Sequence, residues 1–419
     1  MSELDPREAR RQKADRVERT IRLEKTDRPP LFLLLSNSGF QARYAGYTMA
    51  EIAYDYDKFN QSLIKLSRDF DLDWTFANAA IGNFINHIMI DDHPEIAGFL
   101  GFLTGPIHDI LQDNYTKWPG RELADNDPPQ FIGGKFLEID EYDLLIDDPN
   151  ACINEVIFPR AYQALEKPAS GKAYGTLIKL GMEIARFGGS LIDQGMMLKE
   201  IGYPQALMGM CYNPYDMIAD YVRHFDNTIT DFHRVPEKIK QAAEAILPHS
   251  LKFVEVTTAI PPELKGAYDF ESPFVFYPLH LNEFLSPKLY QQYYWPPLKT
   301  LIEADIKAGR IPWIFFEGDH THHLETLLEV PKGKIIAHFE RPDWDRVAEI
   351  VGGHQCVMGG LQPSLLIGGT PDEVKAHVGK MAALFKDGGL ILANAQGSLP
   401  REVKEENLAA VVEAVKELA

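Results

Sequence analysis

Cysteine is scarce in this chain. Only Cys152, Cys211 and Cys356 occur among 419 residues, far apart and never in a CxxC spacing, which excludes a disulfide framework and a thiolate zinc knuckle. Long apolar runs are missing as well, since none approaches the about 18 residues that a membrane helix needs. The charged opening "MSELDPREARRQKADR" does not read as a secretory leader, so a reducing cytoplasm is the expected location. Basic charge is in deficit: 42 Lys and Arg face 61 Asp and Glu, a net charge of −19. Such a surface repels phosphate backbones and anionic membranes, and "REARRQKADR" is balanced by acids, so neither nucleic acid nor membrane is expected as a partner. No GxGxxG follows a first strand, which removes support for a dinucleotide fold.

What is present is an ordinary globular composition, 45% hydrophobic and 25% charged, at a length that suits two medium domains or one large barrel. Residues 5 to 25 carry a charged amphipathic helix pattern. "LFLLLSNSGF" reads as a strand and its exit loop, and "SLIKLSRDFDLDWTFANAA" as a helix feeding a strand. Residues 83 to 165 are irregular, rich in Pro and Gly punctuation. "PQALMGMCYNP" reads as a buried strand. The second half alternates strictly: "PFVFYPL", then helix; "IPWIFF", then the helix "HLETLLEV"; "KGKIIAHFE", then helix; "QCVMGGLQ", then helix; "GLILANA", then helix. Strand–helix alternation with short loops implies parallel strands and right-handed crossovers. These five strands make four consecutive strand–helix–strand units, and the first half has room for about four more. The expectation is one (β/α)8 barrel over residues 1–419, with an N-terminal helical extension over 1–28.

In such a barrel the chemistry lies where the strands end, and polar residues recur there. "IPWIFFEGDHTHHL" ends a buried strand on Glu317, Gly318 and Asp319. The next strand carries His338, so Glu317 and His338 are expected to reach one mouth as metal ligands, with Asp319 either a third ligand or the cap of the following helix. His320, His322 and His323 read as surface histidines of that amphipathic helix. After "FVFYPL" come His280, Asn282 and Glu283, from which a general acid or a further ligand can be drawn. Asn37 and Asn78 close the first two strands. The cluster "QGMMLKEIGYPQALMGMCY" holds Tyr203, Met208 and Tyr212, whose thioether and aromatic groups suit a flat apolar ligand and equally suit core packing.

"DRPPLFLLL", "FDLDWTFANA", "LSPKLY", "GGTPDEV", "GGLILANAQGSLP" and "EENLAAVVEAV" together resemble the uroporphyrinogen decarboxylase superfamily over nearly the whole chain. The resemblance implies a (β/α)8 barrel and two branches, porphyrinogen decarboxylases and cobalamin-dependent methyltransferases. The decarboxylases carry an Arg-rich loop after the first strand, where this chain has "SNSGFQARY" with Arg43 alone. Their aspartate after the second strand falls at Asn78. The methyltransferases that make methyl-thioethers hold zinc by His-x-Cys and a late Cys; those positions here read Phe-Glu-Gly-Asp and Gln396. Replacing thiolates by carboxylate and imidazole gives a harder centre, suited to oxygen.

The resemblance therefore implies a methyltransferase that demethylates a methoxylated aromatic and passes the methyl to Co(I) of a separate corrinoid protein, because no D-x-H-x-x-G corrinoid motif lies in the chain. Zinc is the expected metal, on Glu317, His338 and Asp319. Glu283, His280 and Asn78 are the expected catalytic groups, with Asn37, Tyr203, Met208, Tyr212 and Asn282 around the substrate. Open alternatives are transfer from a methylcorrinoid to a thiol or tetrahydrofolate, demethylation of a methylamine or betaine, a non-catalytic tetrapyrrole carrier, and uroporphyrinogen decarboxylation. A homodimer is also among the expected partners.

Overall fold

The computed structural model describes residues 5–83, 85, 101–259 and 266–419. Eight parallel strands form one curled sheet: β1 (Leu31–Ser36), β2 (Trp74–Asn78), β7 (Met208–Met210), β8 (Phe274–Leu279), β9 (Ile311–Phe316), β10 (Ile336–Phe339), β11 (Cys356–Leu361) and β12 (Leu390–Asn394). Their hydrogen-bonded order is β2-β1-β12-β11-β10-β9-β8-β7. Two small antiparallel hairpins, β3 (Ala80–Gly82) with β4 (Phe102–Thr104) and β5 (Thr116–Lys117) with β6 (Gln130–Phe131), stand outside it. Helices surround the sheet, and the architecture is the expected (β/α)8 barrel. The strands divide unevenly, however. Three come from the first half and five from the second, because the segment between β2 and β7 is spent on hairpins, short helices and one long helix, Gly171–Glu200. The helix expected over "HLETLLEV" is a 3-10 segment, Thr321–Glu329.

Alternation along the strands explains why this sheet curls. Inward positions carry large side chains: Phe32 and Leu34 on β1, Trp74 and Phe76 on β2, Phe274 and Phe276 on β8, Trp313 and Phe315 on β9. Phe276 and Trp313 lie 4.6 Å apart between ring centroids and Phe32 meets Trp313 edge-on at 5.1 Å. Strands β2 and β7 are the two ends of the hydrogen-bonded order. Trp74 of β2 reaches past β7 to Phe274 of β8 at 4.8 Å, so ring packing inside the barrel ties β2 to the far side of the seam. The interior is thus packed with rings rather than open, as such barrels are.

The expected N-terminal helix is Pro6–Ile21, begun by Asp5, whose side chain accepts from the Arg7 amide. Ala14, Val17 and Ile21 plug the end of the barrel where the strands start. One buried carboxylate holds this plug. Asp73, just before β2, receives Arg16 at 2.6 Å and Arg28 at 2.6 Å, and its Oδ2 also accepts the Leu31 amide at 2.8 Å. Its side chain is wholly buried. Removing it would leave Arg28 with only the Pro29 carbonyl at 3.3 Å in a poorly solvated site, while Arg16 keeps Asp27. Among the described residues no helix is long and apolar enough to cross a membrane. Asp73→Ala is expected to lower unfolding free energy by about 3 kcal/mol, measured by urea denaturation followed through tryptophan fluorescence.

Candidate active site

A cavity of about 230 Å3 opens at the C-terminal ends of β1, β2, β7, β8 and β9. Its walls are mostly rings: Phe76, Phe102, Phe131, Tyr221, Phe276 and Phe315, with Met210 beside them. Phe102 and Phe131 come from the hairpins of the β2–β7 segment. Ser36, Asn37, Asn78, Tyr212, His280 and Glu317 supply the polar edge, and the lining contains neither lysine nor arginine.

The polar edge is organised around His280, the residue after β8. Its Nδ1 lies 2.6 Å from Asp220 Oδ2 and its Nε2 lies 3.1 Å from Glu317 Oε1. Tyr212 donates its hydroxyl to Asp220 and stands 3.0 Å from the same Nδ1. Burial pushes an imidazole toward its neutral form, but here the two carboxylates, Asp220 and then Glu317, outweigh it and hold the His280 pKa well above the ordinary value. The ring is a cation at neutral pH. Tyr212, buried against the Asp220 charge, has its phenol pushed far up and remains a donor.

The partners of His280 sit on the helix Pro214–Tyr221, which follows β7 and is capped by Asn213. Asp216 and Asp220 are four residues apart and so share a helix face. Asp220 takes the ring of His280; Asp216 takes its backbone, accepting the amides of His280 at 3.2 Å and Leu281 at 2.8 Å. Tyr294 donates its hydroxyl to the other oxygen of Asp216. Complete burial raises the Asp216 carboxyl to about 7, against the opposing effect of the His280 charge and the hydrogen bonds. None of Asp216, Asp220, Tyr221 and Tyr294 was expected from the sequence. The spacing in "NPYDMIADY", two carboxylates one helical turn apart behind an Asn-Pro start, was the available signal.

Of the expected site residues, Asn37, Asn78, Tyr212, His280 and Glu317 line the cavity together. Asn78 Oδ1 accepts the Ser36 hydroxyl at 2.8 Å, and Asn37 Nδ2 donates to the Ala80 carbonyl at 2.8 Å. The others lie elsewhere. Tyr203 is at the opposite end of the barrel, where its hydroxyl bonds the backbone of Ser67, Phe70 and Leu72. Met208 packs in the barrel interior, and Met210, two residues on, takes the expected place at the cavity. Asn282 is buried and braces the Glu317 carbonyl at 2.9 Å. Glu283 pairs with Arg341 outside the lining. Its carboxylate occupies the space beside Gly318, where any Cβ would meet Glu283 Oε2 at 2.0 Å; with φ at +72° as well, only glycine fits there.

The expected zinc set is not assembled. His338 pairs in register with Phe315, so Glu317, two residues further along β9, stands about 7 Å nearer the mouth. Glu340 on the next strand is its layer-mate, and that carboxylate accepts the Gly318 amide at 2.6 Å. His338 is fully buried between strands, with Nδ1 accepting from the Trp313 indole at 3.3 Å and Nε2 donating to the Asn394 carbonyl at 3.0 Å. The one ring lone pair, on Nδ1, is taken by the indole, so none is available to a metal. Asp319 is spent on the Thr321 amide at 2.9 Å. Among the described residues no three His, Cys, Asp or Glu side chains converge where an ion could be held. These residues do not fit a zinc site. His320 and His323 are buried rather than superficial, because the 3-10 geometry tucks them in, His320 stacked on Phe316 and His323 on Tyr290; His322 alone is exposed.

The family model of uroporphyrinogen decarboxylase (URO-D) matches residues 193–418, over half of the chain. The chain belongs to the uroporphyrinogen decarboxylase family. Comparison with curated proteins finds no match. Among solved structures 31 chains match. One is a methyltransferase from Methanosarcina mazei, 14% identical with a TM-score of 0.55, aligned over 97% of this chain and 98% of that chain. At that identity the likeness speaks for the shared barrel.

Burial pushes the His338 pKa down to about 4, against about 6.5 for a free imidazole. The unfolded chain therefore binds a proton that the folded chain refuses. Stability from this group is complete above pH ~6.5 and falls by about 1.4 kcal/mol per pH unit down to ~4. His338→Gln should flatten that limb by about this slope when chemical denaturation is repeated from pH 7 to 4.

Proposed function

We propose that this chain is a methyltransferase that removes the methyl group of a small methoxylated aromatic and delivers it to Co(I) of a separate corrinoid protein. The observation that carries the reading is a protonated His280, held by Asp220 and Glu317, at the edge of a cavity walled by aromatic rings. A cavity of about 150 Å3 holds benzene, so 230 Å3 suits one substituted ring. A lining without Arg or Lys suits a donor that lacks the many carboxylates of a porphyrinogen, which disfavours decarboxylation. The name of the Methanosarcina mazei relative agrees with group transfer.

The chemistry asks for an acid. An aryl methyl ether resists attack because a phenolate leaves poorly. Co(I) donates its electron pair to the methyl carbon, the C–O bond breaks with its pair on oxygen, and the Nε2 proton of His280 passes to that oxygen to release a phenol. Glu317, a third exposed at the cavity wall, is the partner that the incoming ether oxygen displaces from Nε2. Asp220 stays on Nδ1 and keeps the ring aimed. Asp216 and Tyr294 are positioning residues, because they fix the backbone of His280 and touch no substrate.

A quaternary ammonium donor such as a betaine also suits aromatic walls. Its leaving amine needs no proton, however, which would leave the acid of this site without a task, so the ether reading is favoured.

The test is purified protein with a Co(I) corrinoid protein and a panel of methoxyarenes, followed through methyl–cobalt absorbance. His280→Asn is expected to slow methyl transfer by about a hundredfold or more. Because the His280 pKa is raised, the rate should hold through neutral pH and fall on the alkaline side. Asp220→Asn removes the largest support for that charge and should bring the alkaline fall to lower pH. Transfer from betaine or methylamines, with none from any methoxyarene, overturns the assignment.

A further inference from the structure

The long helix Gly171–Glu200 is apolar on both sides. Phe187 and Leu198 bury one face against the core. The opposite face leaves Tyr174, Leu177, Ile178, Met182, Ile192 and Met196 between 51% and 71% exposed. A stripe of this size on a folded surface marks a contact with another macromolecule. At its middle lie Gly181, Ala185 and Gly189, one turn apart and exposed. A Cβ at Gly181 or Gly189 would meet nothing within 4 Å, so a second backbone can approach closely there.

The order of residues along the stripe says which partner fits. Counted outward from Ala185, Gly181 mirrors Gly189, Ile178 mirrors Ile192, and Tyr174 mirrors Met196. Four of the six exposed apolar residues and both glycines thus fall at matching distances on either side of Ala185, so a two-fold axis there sets like positions of two copies against each other in an isologous contact. The charges beside it are also mirrored, with opposite signs. Every seventh residue along one flank is charged and exposed: Lys172, Lys179, Arg186, Asp193 and Glu200. Reflection about Arg186 sets Lys179 against Asp193 and Lys172 against Glu200. Arg186 itself is neutralised within its own chain by Glu183 at 2.8 Å, and Lys172 also reaches the Gln163 carbonyl at 3.3 Å. Parallel helices would oppose lysine to lysine and acid to acid.

From this arrangement we infer that two copies of the chain associate through antiparallel pairing of Gly171–Glu200, with Ala185 at the two-fold axis. The flank offers three cations and two acids in a chain whose net charge is −19, so like-charge repulsion between copies is lower here than the overall charge implies. Side chains from residues 174 to 196 supply the apolar contact over about 33 Å, and the Lys179–Asp193 and Lys172–Glu200 pairs set direction and register.

Sedimentation velocity of the full chain over a concentration series tests this. A reversible dimer is expected. Lys179→Asp and Asp193→Lys should each raise its dissociation constant roughly tenfold, through two symmetric surface pairs, and the combined swap should return it to near the starting value. Ala185→Cys should give a disulfide-linked dimer with diamide as oxidant, and Lys172→Cys should not; the three native cysteines are buried. Circular dichroism confirms that each variant is folded. A chain that stays monomeric throughout overturns the inference. So does a dimer that ignores both single reversals, is not rescued by the swap, or fails to cross-link through residue 185.

Discussion

A charged imidazole stays ionised in an apolar pocket only while anions are held against it, and that constraint organises this molecule. Desolvation opposes the His280 cation, so both ring nitrogens must meet carboxylates, and those carboxylates must come from elements that cannot drift apart. Asp220 is on the helix after β7 and Glu317 is the residue after β9, while His280 itself follows β8. Three consecutive parallel strands thus converge on one proton. Beneath them, Phe276, Trp313 and Phe315 fill the barrel, and this ring packing fixes the distances among the strand ends. A second carboxyl, Asp216, is committed to the backbone of the same loop and is satisfied by Tyr294. The site is rigid because each of its charges is used structurally as well as chemically.

Burial has opposite consequences for two histidines on nearby strands. His338 has no carboxylate within its shell and only an indole and a carbonyl as partners, so it is driven neutral. His280 has two carboxylates and is driven positive. The difference is one of layer. Strand alternation places His338 level with Phe315 and deep among rings, whereas Glu317 lies one layer above. At the mouth solvent and polar loops begin, and there a charge can be compensated.

Much of the barrel was legible because its signal is local. Five strands of the second half alternate with helices at short range, and each inward residue is hydrophobic for a reason that any window of the sequence displays. The N-terminal helix was equally plain from its charge pattern. The site was legible in part. His280, Glu317, Asn37 and Asn78 follow from reading where strands stop, and Tyr212 from the cluster of thioether and aromatic residues around β7. His338 was misplaced because a strand end is uncertain by a residue or two, and one layer of a barrel is two residues. Asp216 and Asp220 escaped because they lie on a helix, where a pair of acids ordinarily means a solvated face; only the structure turns that face toward β8. Met208 and Tyr203 show the same limit, since a motif fixes a neighbourhood in sequence but not which end of a strand it occupies. The histidine tract shows another, because a 3-10 segment spaces its side chains differently from the α-helix that its composition suggested.

The division of labour around the cavity has a consequence for how such a protein can diversify. The proton-handling groups belong to the strand-end loops of β7, β8 and β9, while Phe102 and Phe131 belong to hairpins inserted between β2 and β7. That insertion connects β2 and β7, the two ends of the hydrogen-bonded order. Its length and its rings can change without disturbing the strand register on which the acid depends. The two hairpin rings of the pocket and its reactivity thus come from separate stretches of chain, and the first can be remodelled while the second is kept.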